Sequence, residues 1–126
     1  MTNFSKIPSK DNIEFFEDAV SRHTVVSSVE KISDYYYKVN RIGKTSLKVL
    51  VTNIYIVDVT DAYELMKKYG DFDCIITISS WNGYEPDAED ILKENNVGLF
   101  KFNEFMGALN YEGKKFLDYI IPEKDD

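Results

Sequence analysis

The chain has 126 residues and a formal net charge of −7. That length suits one domain, and 44% hydrophobic with 14% aromatic residues is enough to build a core, which excludes a disordered chain. Net acidity, with a pI of about 4.7, lowers the expectation of a domain that grips nucleic-acid backbone and favours basic protein partners or an acidic surface that mimics nucleic acid.

Cys74 is the only cysteine, so neither an intramolecular disulfide nor a cysteine-based zinc site can form. Within Asp73-Cys74-Ile75-Ile76 it reads as a small buried hydrophobe. The start MTNFSKIPSK lacks an apolar signal core, and no apolar run approaches membrane-spanning length. The expectation is a soluble protein of a reducing cytoplasm.

Taken in order, Asp11-Asn12-Ile13-Glu14 predicts a capping box that opens a helix from about Asn12 to Arg22. Ile13, Phe16, Ala19 and Val20 give it a core stripe, with Phe15 beside them. The β-branched run Thr24 to Ile32 predicts a strand, Ser33-Asp34 a turn, and Tyr35 to Arg41 a second strand. Gly43-Lys44-Thr45 turns into a third strand, Leu47 to Val51. These three form an antiparallel meander. Gly43-Lys44-Thr45 also echoes the end of a phosphate loop, but Asn40-Arg41-Ile42 replaces the glycine-rich spacing and a strand follows, so no phosphate loop is expected.

Thr60 is expected to cap a helix carrying Ala62, Leu65 and Met66, ended by Gly70. Phe72 to Ile78 reads as a strand covered on both faces. Pro86, with Asp87, Glu89 and Asp90, opens a helix that buries Ala88, Ile91 and Leu92 and ends at Asn95-Asn96. Val97 to Phe102 is the last strand. Asn103 caps a helix through Phe105, Met106 and Leu109, Lys114 to Ile120 adds a short helix, and the tail from about 121 frays. The fold class is α/β: a single domain, residues 1–126, with a mixed central sheet in which an antiparallel meander is followed by parallel strands joined by right-handed crossover helices.

This order resembles the core of the restriction-endonuclease-like superfamily, and the second half resembles its Mrr-type nuclease domain. The features are Ile75-Ile76-Thr77-Ile78-Ser79-Ser80, then Pro86-Asp87-Ala88-Glu89, then Val97-Gly98-Leu99-Phe100 and Glu104-Phe105, within about residues 45 to 110. The resemblance implies a catalytic acid at a strand start and a Glu/Asp/Gln-x-Lys triplet on the next strand, whose carboxylates hold Mg²⁺. Asp34 stands where the first acid belongs, and Lys48 supplies the lysine. Ser46 occupies the second carboxylate's place, so the metal site is expected to be broken.

Three functional expectations follow. The first is a non-catalytic module without cofactor that binds a protein partner or a second copy of itself, in a restriction, phage-defence or counter-defence setting. Its interface candidates are the meander's edge strand and Tyr35, Tyr36 and Tyr37, whose alternation exposes one side. The second is a divergent Mg²⁺ nuclease using Asp34 and Lys48, with Asp58 or Glu30 migrated into the site. The third is a small-ligand site, for nucleotides, at Ser79, Ser80, Trp81, Asn82 and Tyr84, beyond the carboxyl end of a central strand, where α/β sheets bind ligands. There Trp81 and Tyr84 could stack on a ring. The bland alternative is a crossover loop in which Trp81 covers the core and Gly83 permits the turn. Asp58 and Asp61 around Thr60 read as a helix cap with acidic neighbours, and His23 as the end of the first helix. With one histidine and no adjacent nucleophile motif, a triad hydrolase has little support.

Overall fold

A computed structural model describes residues 6–122. The expected tail residues 123–126, and residues 1–5 of the N-terminal segment, lie outside that range. Helix α1 (Lys10–Ser21) leads into the meander β1 (Val26–Ser33), β2 (Tyr36–Arg41) and β3 (Lys44–Thr52). The short β4 (Ile56–Val57) precedes α2 (Val59–Tyr69), which returns the chain to β5 (Cys74–Thr77). Then come β6 (Gly83–Tyr84), α3 (Pro86–Glu94), β7 (Gly98–Lys101), α4 (Phe102–Ala108) and α5 (Gly113–Leu117).

The central sheet runs β1-β2-β3-β5-β7, antiparallel through β3 and parallel from β3 to β7. Period-two alternation divides its side chains between two cores. Tyr37, Val39, Val49, Val51, Ile76 and Phe100 meet Phe16 and Val20 of α1, Phe105 and Leu109 of the α4 region, and Phe116 of α5. Leu50, Ile75 and Leu99 on the other face meet Ala62 of α2 and Ala88 and Leu92 of α3. The result is a three-layer α/β/α domain. β5 is buried along its whole length, as its unbroken apolar run requires.

Helix α2 presents Ala62, Leu65, Met66 and Tyr69 to the sheet, at offsets of three, four and seven from the first, a single helical face. Each large side chain so removed from water contributes about 1.5–3 kcal/mol. Gly70 ends α2 at φ 80°, a left-handed position that costs glycine little.

Three caps differ from the sequence expectation. Ser9, not Asp11, caps α1: its Oγ accepts from Asn12 N at 3.0 Å, while Asn12 Oδ1 accepts from Ser9 N at 3.0 Å. Asp58, not Thr60, caps α2, with Asp61 closing the reciprocal pair. Glu104 Oε1 accepts from Lys101 N at 2.8 Å, so α4 begins at Phe102, before Asn103. In each case a side chain three residues on reaches back to the cap residue's backbone N–H.

Other boundaries moved too. Asp34-Tyr35 makes the first hairpin turn, Tyr35 standing at φ 65°, so β2 begins at Tyr36. The last helix is Gly113–Leu117, rather than running from Lys114 to Ile120. β4 and β6 pair in parallel as a separate two-stranded sheet absent from the sequence expectation; two-residue strands carry no periodicity.

Gly98 starts β7 on the same face as Phe100. A Cβ there would lie 2.6 Å from Cε2 of Phe100, whose ring is buried edge-on against Phe116 at 5.2 Å. Gly98→Ala is expected to lower unfolding free energy by about 1–3 kcal/mol through overpacking. Chemical denaturation checks this; unchanged stability would mean that the Phe100 ring has room to shift.

Candidate functional site

The proposed nuclease residues do not converge. Asp34 is exposed in the first hairpin turn and pairs with Lys31 at 3.5 Å. Lys48 on β3 pairs with Asp71 at 2.6 Å. Its cross-strand neighbour is Lys38, four residues from Asp34, or roughly 13 Å along the strand. Asp58 caps the start of α2, whereas Asp71 lies just past its end; an 11-residue helix is about 16 Å long. Glu30 accepts from Asn40 on the exposed meander face, where Ser46 Oγ donates to Asn40 Oδ1 at 2.7 Å. Among the described residues, no three His, Cys, Asp or Glu side chains come together as metal ligands.

The tyrosine triplet is mostly internal. Tyr37 is 1% exposed, and its hydroxyl donates to Glu17 at 2.6 Å. Tyr36 is half-buried, and its hydroxyl donates to the Asp71 carbonyl. Tyr35 is half-buried in its turn. The edge strand β1 carries register irregularities near both ends, between Val26 and Ser28 and between Lys31 and Ser33. Those breaks, with Glu30 and Lys31 between them, are features that discourage another strand from pairing.

His23 ties two helices together. Its Nδ1 accepts from Val25 N at 3.2 Å, which leaves Nε2–H to donate to the Met106 carbonyl at 2.8 Å. Cys74 is in the core, where burial pushes its thiol well up and keeps it protonated.

The stretch Ser79 to Tyr84 divides into anchors and one projecting side chain. Ser79 Oγ donates to Asn53 Oδ1 at 2.6 Å. Asn82 Nδ2 donates to that oxygen at 2.8 Å and to Thr77 Oγ1 at 2.9 Å. Thr77 Oγ1 in turn donates to the Ile54 carbonyl. Backbone bonds from Ile78 N to Thr52 O (2.9 Å) and from Gly83 N to Tyr55 O (2.8 Å) fix both ends. Ser79 and Asn82 are 7% and 3% exposed, whereas Trp81 between them is 72% exposed. Tyr84 is half-buried, its hydroxyl donating to both carboxylate oxygens of Glu104 at 2.9 and 3.0 Å. Burial first, and that bond second, push its phenol up.

Trp81 does not cover the core. It lines an open groove of about 390 Å³ with Ser79, Ser80, Phe15, Phe102, Lys101, Asn103 and Asn12. The groove lies past the carboxyl ends of the adjacent parallel strands β5 and β7, where Thr77 pairs with Lys101. Phe15 projects from α1 at 55% exposure, its ring 4.9 Å from that of Phe102. The groove therefore draws on α1, the β5–β6 connection and the β7–α4 junction. Of the five sequence candidates, Ser79, Ser80 and Trp81 line it, and Asn82 and Tyr84 brace its surroundings. Sequence reasoning missed Asn12, Phe15, Lys101, Phe102 and Asn103. One signal was available: Phe15 lies off the Ile13-Phe16-Val20 stripe, on the exposed side of an amphipathic helix.

A larger depression, about 710 Å³, opens at the opposite end of the strands beside Arg41, Asp73, Lys93, Lys114 and Asp118. Three of its charged groups are paired: Lys114 with Asp118 at 2.9 Å, and Lys93 with Asp118 at 3.4 Å and with Glu89 at 3.8 Å.

Three carboxylates are held below their ordinary values: Asp58 chiefly by the Asp61 N–H, Glu112 chiefly by the Thr45 N–H, and Asp118 chiefly by the Lys114 ammonium. A depressed folded value adds stability that is present above the unfolded value and is lost as pH falls through the folded one. Their ordinary values are 3.8 for Asp and 4.5 for Glu, so the loss should begin near pH 4.5 and grow below it. Glu89, raised mainly by burial, acts in the opposite direction and softens that loss. Urea midpoints across this range are expected to fall less steeply in Glu112→Gln; an identical slope would remove Glu112 from the account.

No protein-family model, curated protein or solved structure matches the chain. Among the described residues, no helix is long and apolar enough to cross a membrane.

Proposed function

We propose that this is a non-catalytic binding module with a degenerate restriction-endonuclease-like core, working in the cytoplasm in a restriction, phage-defence or counter-defence setting, and that it binds through the aromatic groove. The observation that carries the binding reading is Trp81, 72% exposed on a loop whose neighbours Ser79 and Asn82 are buried and bonded in place. A large apolar side chain held in water on a fixed loop is a poor choice for stability and a good one for recognition. The core assignment is supported by the order of the central-sheet strands and the first four helices, which is helix, three-stranded meander, helix, strand, helix, strand, helix once the short β4 and β6 are set aside. The absence of catalysis is supported by the separate placements of Asp34, Lys48 and Asp58.

Calorimetric titration with Mg²⁺ and Mn²⁺, with single- and double-stranded DNA cleavage assayed in the same buffers, tests the catalytic side. No saturable binding and no cleavage are expected. Saturable metal binding with cleavage, both abolished by Asp34→Ala and Lys48→Ala, would replace this proposal with a divergent nuclease.

A further inference from the structure

We infer that the groove takes a planar aromatic anion of about mononucleotide size, its ring against Trp81 and the Phe15–Phe102 pair and its anionic group at Lys101. This inference rests on the binding reading above and specifies the ligand. Size comes first: about 390 Å³ falls within the range of small-molecule sites. The walls come next. Trp81, Phe15 and Phe102 offer ring faces and edges, which favour a flat π-system over a branched aliphatic one. Charge then selects among flat ligands. Among the described residues, Lys101 is the one charged side chain lining the groove, and no carboxylate lines it. Lys101 enters no ion pair among the described residues. Asn12, Asn103 and Ser80 add polar groups at the rim for ring or sugar atoms.

The surroundings argue against a nucleic-acid strand. Helix α1, one wall of the groove, carries exposed Asp11, Glu14 and Asp18. A strand continuing beyond one nucleotide would bring further phosphates towards those carboxylates, on a chain of net charge −7. The site therefore suits a single anionic group.

Trp81 is the only tryptophan, so its fluorescence reports the groove directly. The full chain would be titrated with adenosine and uridine monophosphates, with the uncharged nucleosides, with benzoate and phenyl phosphate, with inorganic phosphate alone and with a short single-stranded oligonucleotide. Variants would be followed by calorimetry. The expected result is saturable quenching by the ring-bearing anions, at least about tenfold weaker for the nucleosides and for Lys101→Met, and lost in Trp81→Ala. Tighter binding of the monophosphates than of benzoate and phenyl phosphate would identify the source as a nucleotide; the reverse order would identify another aromatic acid. Four results would overturn the inference: no saturable response to any ring-bearing anion, nucleosides equal to monophosphates, an oligonucleotide far tighter than a mononucleotide, or a dimer in sedimentation that Trp81→Ala dissociates. The last would show a second copy filling the groove. Metal-dependent cleavage, by contrast, would sink the non-catalytic reading itself, so the two failures are separable.

Discussion

Arg41→Met is expected to lower unfolding free energy by about 3–5 kcal/mol, the cost typical of breaking a buried, hydrogen-bonded charge arrangement from one side. The Arg41 side chain is 0% exposed. Its Nε donates to the Thr45 carbonyl at 2.8 Å, and Nη1 to the carbonyls of Leu109 at 2.9 Å and Tyr111 at 2.7 Å. Nη2 reaches Thr45 Oγ1 at 3.3 Å and lies 3.8 Å from Glu112. One guanidinium thus joins the β2–β3 turn to the chain between α4 and α5. Removing it strands carbonyls that helix geometry leaves without an intrahelical partner at the end of α4. Arg41→Lys keeps the charge but cannot reproduce a planar fork serving several acceptors, so most of the loss should remain. Denaturant midpoints measure both variants; a loss below about 1 kcal/mol would mean that water replaces the guanidinium at these carbonyls.

Adjacent residues of the groove loop should give opposite signatures. Asn82→Ala removes two donations, to Asn53 and to Thr77, from a buried network, and is expected to cost about 1–3 kcal/mol. Trp81→Ala removes a side chain that is mostly in water and should leave stability within about 0.5 kcal/mol. Its effect falls on binding, where an aromatic anchor contributes about 2 kcal/mol or more. Thermal unfolding paired with ligand titration separates the two. If Trp81→Ala proved the more destabilising, the residue would be packing the fold after all, and the groove would lose its main argument.

The meander was legible from its β-branched runs and turn residues, the crossover helices from helical spacing such as Ala62-Leu65-Met66, and β5 from its unbroken apolar run. Cap positions were less so, because Ser9, Asp58 and the Glu104 side chain compete with equally suitable neighbours, and only the path of the preceding chain chooses among them. Tyr37 illustrates a second limit. Alternation says that one side of Tyr35-Tyr36-Tyr37 differs from the other; it does not say which side α1 will cover. The groove shows a third. Phe15, Trp81, Lys101 and Phe102 come from three separate stretches, and their meeting follows from Thr77 pairing with Lys101 and from α1 packing across that end. No local pattern encodes it. The candidate nuclease residues failed for the same reason in reverse: right types at suggestive spacing, distributed by the fold to different ends of α2 and a distant hairpin turn.

Amide chemical-shift mapping of the full chain in two series, one with Mg²⁺ and one with a nucleoside monophosphate, separates groove binding from metal-dependent catalysis. Nucleotide shifts are expected to concentrate at residues 12–15, 79–81 and 101–103, with no saturable Mg²⁺ response at Asp34, Lys48 and Asp58. Saturable Mg²⁺ shifts shared by those three residues, with a silent groove, would contradict the binding reading and point back to metal-dependent catalysis.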